Sequence, residues 1–241
     1  MQRSGTNRDS LNIGVLLRGE PESLRDWLDS WNPGRSFLCI GVILVGACLY
    51  GGAMGYWRAP LQALFVAIKF PLIILLTVVG NALLNSMLAP LLGLNLTFRQ
   101  SFLAILMSFT IVAAILGSFS PLAAFLVWNT PPMSANAELS TGPYTVIQLT
   151  HVGVIAFAGI AGNLRLLQLL RQLSGNASTA RRVLLAWLAG NLFFGSQLSW
   201  ILRPFIGSPG LEIEFLRKTA FHGSFYETVF RSVLNLLKMN P

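Results

Sequence analysis

Charge is scarce in this sequence: Asp, Glu, Lys and Arg together make up 11% of 241 residues, under half of what a soluble domain usually carries. So few charges cannot clothe a water-facing surface, which excludes an ordinary soluble globular domain. Acids are missing where they would matter most. None of the long apolar blocks contains Asp or Glu, so the buried carboxylate relay of a proton-driven carrier is absent. Cysteine is limited to Cys39 and Cys48, which fall on roughly opposite sides of one expected helix and cannot bridge each other. Together with two distant histidines they form no metal site of usual spacing. There is no HExxH, no Gly-x-Ser-x-Gly and no Walker loop. Gly195-Ser196-Gln197 is the nearest approach to a serine nucleophile, and no other protease signature accompanies it. The reading is therefore of a noncatalytic protein with no cofactor and no metal.

What the chain does have is apolar residues, 54% of the total, in blocks of about 20, the length that crosses a hydrocarbon core roughly 30 Å thick. This predicts an all-α polytopic membrane helix bundle of about five transmembrane helices. The expected spans are Ser36 to Tyr56, Leu61 to Leu84, Ser101 to Val127, Val146 to Leu164 and Val183 to Leu202. Trp57, Trp128, Tyr144 and Trp200 fall near their ends, as an interfacial aromatic belt requires. Residues 1–35 form a polar leading segment, 36–205 the bundle and 206–241 a tail. Met1 to Asn32 is polar and charged, so the first span is expected to act as a signal anchor. Within the leading segment, Leu24, Trp27, Leu28 and Trp31 share one helical face between Pro21 and Asn32, which predicts a short interfacial helix. In the tail, Phe221, Phe225, Val229, Phe230, Val233, Leu234 and Leu237 predict a second one, too short and polar to span.

The formal charge of +8 belongs to topology rather than to nucleic acid, because the basic residues lie between apolar spans without interleaved aromatics. Asn129 to Thr145 contains no Lys or Arg, whereas Asn163 to Arg182 contains Arg165, Arg171, Arg181 and Arg182. The positive-inside rule then places the first loop outside and the second inside, with the N-terminus cytoplasmic. An odd number of spans puts the tail, with Arg217, Lys218, Arg231 and Lys238, on the outside, against the rule. The sequons at Asn95 and Asn176 fall in loops expected inside, so they are read as chance matches.

Ionisable groups inside a membrane are functional candidates. Lys69 lies inside the second span, followed by Phe70-Pro71; His151 lies a turn inside the fourth; Arg203 ends the fifth, followed by Pro204. All three belong to the outer half of the bundle, and together they could hold a phosphate, a carboxylate or a lipid headgroup. The plainer reading is that Lys69 snorkels to the headgroups and Arg203 anchors a helix exit. Asn81, Asn85, Asn191, Gln197 and Ser199 read as interhelical hydrogen-bonding groups. Small residues at four-residue spacing, Gly51 and Gly55, Ala158 and Gly162, Ala186 and Gly190, allow close helix approach within the bundle or in a homodimer.

The segment from Gln197-Leu198-Ser199-Trp200 through Leu202-Arg203-Pro204-Phe205 to Gly207-Ser208-Pro209, with Ile68-Lys69-Phe70-Pro71 earlier and Phe225-Tyr226-Glu227 later, resembles an uncharacterised group of bacterial multi-span inner-membrane proteins. The span count is also similar to Yip1-type membrane proteins. The resemblance implies a bacterial inner (plasma) membrane location and carries no activity. The function expected is that of a scaffold or accessory subunit of a membrane complex, with lipids, itself or another membrane subunit as partners. A small transporter or channel with an outer-side anion or lipid-headgroup site is the alternative.

Overall fold

In a computed structural model the described residues are 33–132, 137–207 and 212–238. They form an all-α membrane bundle of five long helices and one short one: α1 (Pro33–Tyr56), α2 (Pro60–Leu91), α3 (Phe98–Asn129), α4 (Ala137–Ser174), α5 (Ala177–Leu202) and α6 (Phe225–Lys238). The expected interfacial helix over Pro21 to Trp31 lies outside the described residues.

Helix ends follow local chemistry. Pro60 begins α2, where a missing N–H costs nothing. Thr97 caps α3 with a reciprocal box: its hydroxyl accepts from the Gln100 N–H at 3.2 Å, and Gln100 Oε1 accepts from the Thr97 N–H at 3.1 Å. The α4–α5 turn is tight because Gly175 takes φ +62°, a left-handed conformation that glycine adopts without strain. Asn176 then caps α5 through the Ser178 N–H at 2.8 Å.

α1 packs against both α2 and α3, α4 packs on α3, α5 on α2, and α4 meets α5. Four helices, α1 to α4, are long and apolar enough to cross a membrane. The fifth falls below that apolarity, with Asn191, Ser196, Gln197 and Ser199 interrupting its sequence. It nevertheless runs antiparallel along the length of α2. Thr179 lies beside Gly93, Asn81 bonds to Asn191, and Pro204 lies beside Lys69. α4 is longer than its expected span. Its 38 residues reach about 57 Å at 1.5 Å per residue, and its last turns bury Leu166, Leu169 and Leu170 in the core.

The small residues close the bundle from within. A Cβ on Gly51 would meet the Val66 carbonyl oxygen of α2 at 2.8 Å, and one on Gly162 would meet the Ser108 carbonyl of α3 at 2.9 Å. The small-residue pairs thus serve contacts inside one chain. The closest approach involves a glycine the spacing did not single out: a Cβ on Gly46 would lie 2.2 Å from the Ala113 oxygen of α3.

Midway along the α2–α5 contact sits a buried amide cluster. Asn85 Nδ2 donates to Asn81 Oδ1 at 2.9 Å, and Asn81 Nδ2 donates to Asn191 and to the Trp187 carbonyl, the latter at 3.2 Å. Replacing Asn81 with Ala strips partners from two other amides, so it should lower bundle stability by about 1–2 kcal/mol. Reversible unfolding in mixed micelles reads this out, and an unchanged midpoint would show that the cluster is not a packing device.

Candidate functional site

The expected site residues lie at the end of the bundle that carries the α1–α2 loop, the α3–α4 connection and the α5 exit. Lys69 does not snorkel. Its side chain is 0% exposed, because the exit segment Arg203–Gly207 and the tail fold over it. Lys69 Nζ donates to the Pro204 carbonyl at 3.3 Å and stands 5.2 Å from the centre of the Phe215 ring, within cation–π range. Gln62, two turns earlier on α2, donates to the Pro204 and Phe205 carbonyls, each at 2.9 Å. The α5 exit is therefore tied to α2 through its backbone oxygens, which the Pro204 ring and the Gly207 turn leave pointing inward, the Gly207 φ being +91°.

Arg203 closes α5. Its guanidinium carbon lies over Trp200, 3.3 Å from the ring centre, and the group donates to the Trp200 carbonyl at 3.0 Å. That accounts for one of its five N–H donors. Burial first, and the charge of Arg217 second, hold the Arg203 guanidinium below its ordinary pKa. Arg217 also lies close enough to Lys69 for the two charges to repel. Among the described residues none of Lys69, Arg203 and Arg217 has a carboxylate partner.

His151 is 3% exposed; its Nδ1 is hydrogen-bonded to the Tyr50 hydroxyl of α1 at 2.8 Å, and the two rings meet edge to face at 5.3 Å. Its Nε2 has no protein partner among the described residues. A cavity of about 460 Å³ opens here, within the size range of ligand pockets. His151, Arg203 and Arg217 line it with Gln148 and Ser199 as further polar groups and Met54, Phe70, Val152 and Ile155 as apolar ones. Lys69 is not in the wall, but its neighbour Phe70 and its acceptor Pro204 are.

The structure thus joins His151 and Arg203 in one cavity, sets Lys69 directly behind it, and adds Arg217, which the sequence had left in an unplaced tail. The signal was present as a violation: basic residues on the side where the positive-inside rule wants none. Trp57, expected in an interfacial belt, is instead buried, donating to the Pro131 carbonyl at 2.9 Å, whereas Trp128 is exposed. Ser196 bonds to the Leu192 carbonyl and the Tyr226 hydroxyl, which is a helix-to-tail contact. No His, Cys, Asp or Glu group that could hold a metal ion occurs among the described residues.

Compared with known proteins, the chain matches no protein-family model, no curated protein and no solved structure. Its integral membrane character and its site rest on its own residues.

Proposed function

We propose that this chain is a noncatalytic membrane protein that binds an anionic group in the cavity beneath Arg203 and Arg217, as a binding or accessory subunit of the membrane. The observation that carries this reading is the gathering of Arg203 and Arg217 in one cavity wall, with Lys69 behind it and no carboxylate paired to any of the three among the described residues. Three like charges brought together cost energy in the folded chain, and a ligand of opposite charge offsets that cost. By the positive-inside rule this end faces away from the cytoplasm, in the inner membrane that the sequence resemblance implies. The basic tail then lies outside because it serves the site.

A conduction pathway is less well supported. Toward the α4–α5 turn the bundle is filled by Leu103, Leu106, Leu166, Leu169, Leu170 and Trp187, an apolar plug below the cavity. Binding of glycerol phosphate to the purified protein, measured by calorimetry, is expected to weaken about ten- to a hundredfold in Arg203→Gln, the loss of one charged hydrogen-bond donor. A binding-competent protein with unchanged affinity in that variant would refute the reading.

A further inference from the structure

The walls of the cavity are of two kinds, and they are segregated. Arg203 and Arg217 stand at its head, where α5 ends and the tail crosses. Val152 and Ile155 of α4 form a side wall, and these two are also on the outside of the bundle, 56% and 36% exposed. A residue that both lines a cavity and faces outward marks a side opening. α4 and α5 supply that opening because they are the least closely packed of the consecutive long helices. They are joined by a tight turn at the far end, beside the apolar plug, and are not held together by a loop at this one. In a bundle solvated by lipid, a side opening at this depth leads to acyl chains and not to water.

The geometry points to a net-anionic phospholipid as the ligand, entering sideways between α4 and α5, its phosphate on Arg203 and Arg217 and the start of its acyl chain along Val152 and Ile155. This rests on the anion-binding reading and narrows it: the same phosphate chemistry could come from a soluble ester, and the side opening selects the lipid. Phe70 and Met54 extend the apolar wall inward from the portal. His151 Nε2, buried at the cavity's edge and without a partner among the described residues, supplies a polar contact for a glycerol or phosphate oxygen.

The test uses the full chain in detergent micelles, with native mass spectrometry and competition to measure binding of dioleoyl phosphatidylglycerol, dioleoyl phosphatidylcholine and soluble glycerol phosphate. Val152→Trp fills the portal from a lipid-facing position; Val152→Phe is a milder second variant should the first unfold, and thermal melting checks both. The expected result has three parts. Phosphatidylglycerol binds at least tenfold more tightly than glycerol phosphate and than phosphatidylcholine. The portal variants lose that lipid at least tenfold, and by a larger factor than they lose glycerol phosphate. If glycerol phosphate binds as tightly as the lipid and the portal variants change nothing, the lipid inference is overturned while the anion site stands. Equal binding of phosphatidylcholine also overturns it. If wild-type protein binds none of the three, the anion reading itself fails.

Discussion

Replacing Gly46 with leucine should prevent the bundle from assembling. The contact it occupies is the tightest between the paired helices α1 and α3: a Cβ there would stand 2.2 Å from the Ala113 oxygen and 2.8 Å from its carbonyl carbon. These are backbone atoms of a helix and cannot rotate aside. Across the contact a Cβ on Gly117 would meet the Cα of Gly46 at 2.9 Å, so the two glycines form one mutual notch. Overpacking of a close-packed core typically costs about 1–3 kcal/mol and occasionally more. Here α1 must move bodily away from α3, loosening the core that Cys39, Ile43 and Ala47 of α1 share with Leu103 and Ile111 of α3. A loss of about 3 kcal/mol or more is expected, enough to leave little folded protein after detergent extraction. Monodisperse elution and wild-type melting of Gly46→Leu would show that α1 and α3 do not meet as described. Gly153, with no neighbour within 4 Å of a Cβ, is the matched control, and Gly153→Leu should melt like wild type.

Arg217→Glu should act in opposite directions on stability and binding. In the native chain Arg217 repels both Lys69 and Arg203. A glutamate there turns two repulsions into attractions and supplies the cavity with an anion of its own. Charged pairs a few ångströms apart near a protein surface interact by about 1–4 kcal/mol. After desolvation costs, a gain of about 1–2 kcal/mol in unfolding free energy is expected. Binding of glycerol phosphate should fall by at least about a hundredfold, since an attractive contact is replaced by a like charge. Melting in detergent and calorimetry on the same preparation read both effects. A variant that binds as wild type does would remove Arg217 from the site.

The comparison between sequence and structure divides along one physical line. Whatever depends on long apolar runs was legible: the all-α bundle, its five long helices, and the end of the bundle toward which Lys69, His151 and Arg203 lie, because hydropathy reports the helices and their order directly. What depends on a segment without hydropathy or periodicity was not. Arg217 sits in a turn-rich stretch, and nothing local announces that Phe215 will meet Phe65 edge to face, with ring centres 5.5 Å apart, and bring Arg217 into the neighbourhood of Lys69. The extension of α4 past Leu164 was hidden because Arg165, Gln168, Arg171 and Gln172 dilute its apolarity while leaving it a good helix. α6 begins at Phe225 and not at Phe221. Gly223 takes φ +73°, and the Ser224 hydroxyl accepts from the Glu227 N–H at 3.1 Å, which sets the start there. The snorkelling expected of Lys69 is overturned by its full burial, for a lysine snorkels only when no folded segment covers its route to water.

That covering segment has a consequence for timing. The tail rests on the bundle by a few ties: the carbonyls of Pro204 and Phe205 on Gln62 and Lys69, Phe215 on Phe65, and Tyr226 against Phe193 and Ser196. On α6, Tyr226 to Arg231 and Leu234 are exposed. Segments with so few buried contacts open at a small fraction of the global unfolding free energy, while the helices beneath stay closed. One of the three cations is thus carried on a part of the chain with its own, faster clock. If the proposed anion site is occupied, exchange of its ligand is expected to keep pace with opening of the tail, while the bundle keeps the other two charges in place.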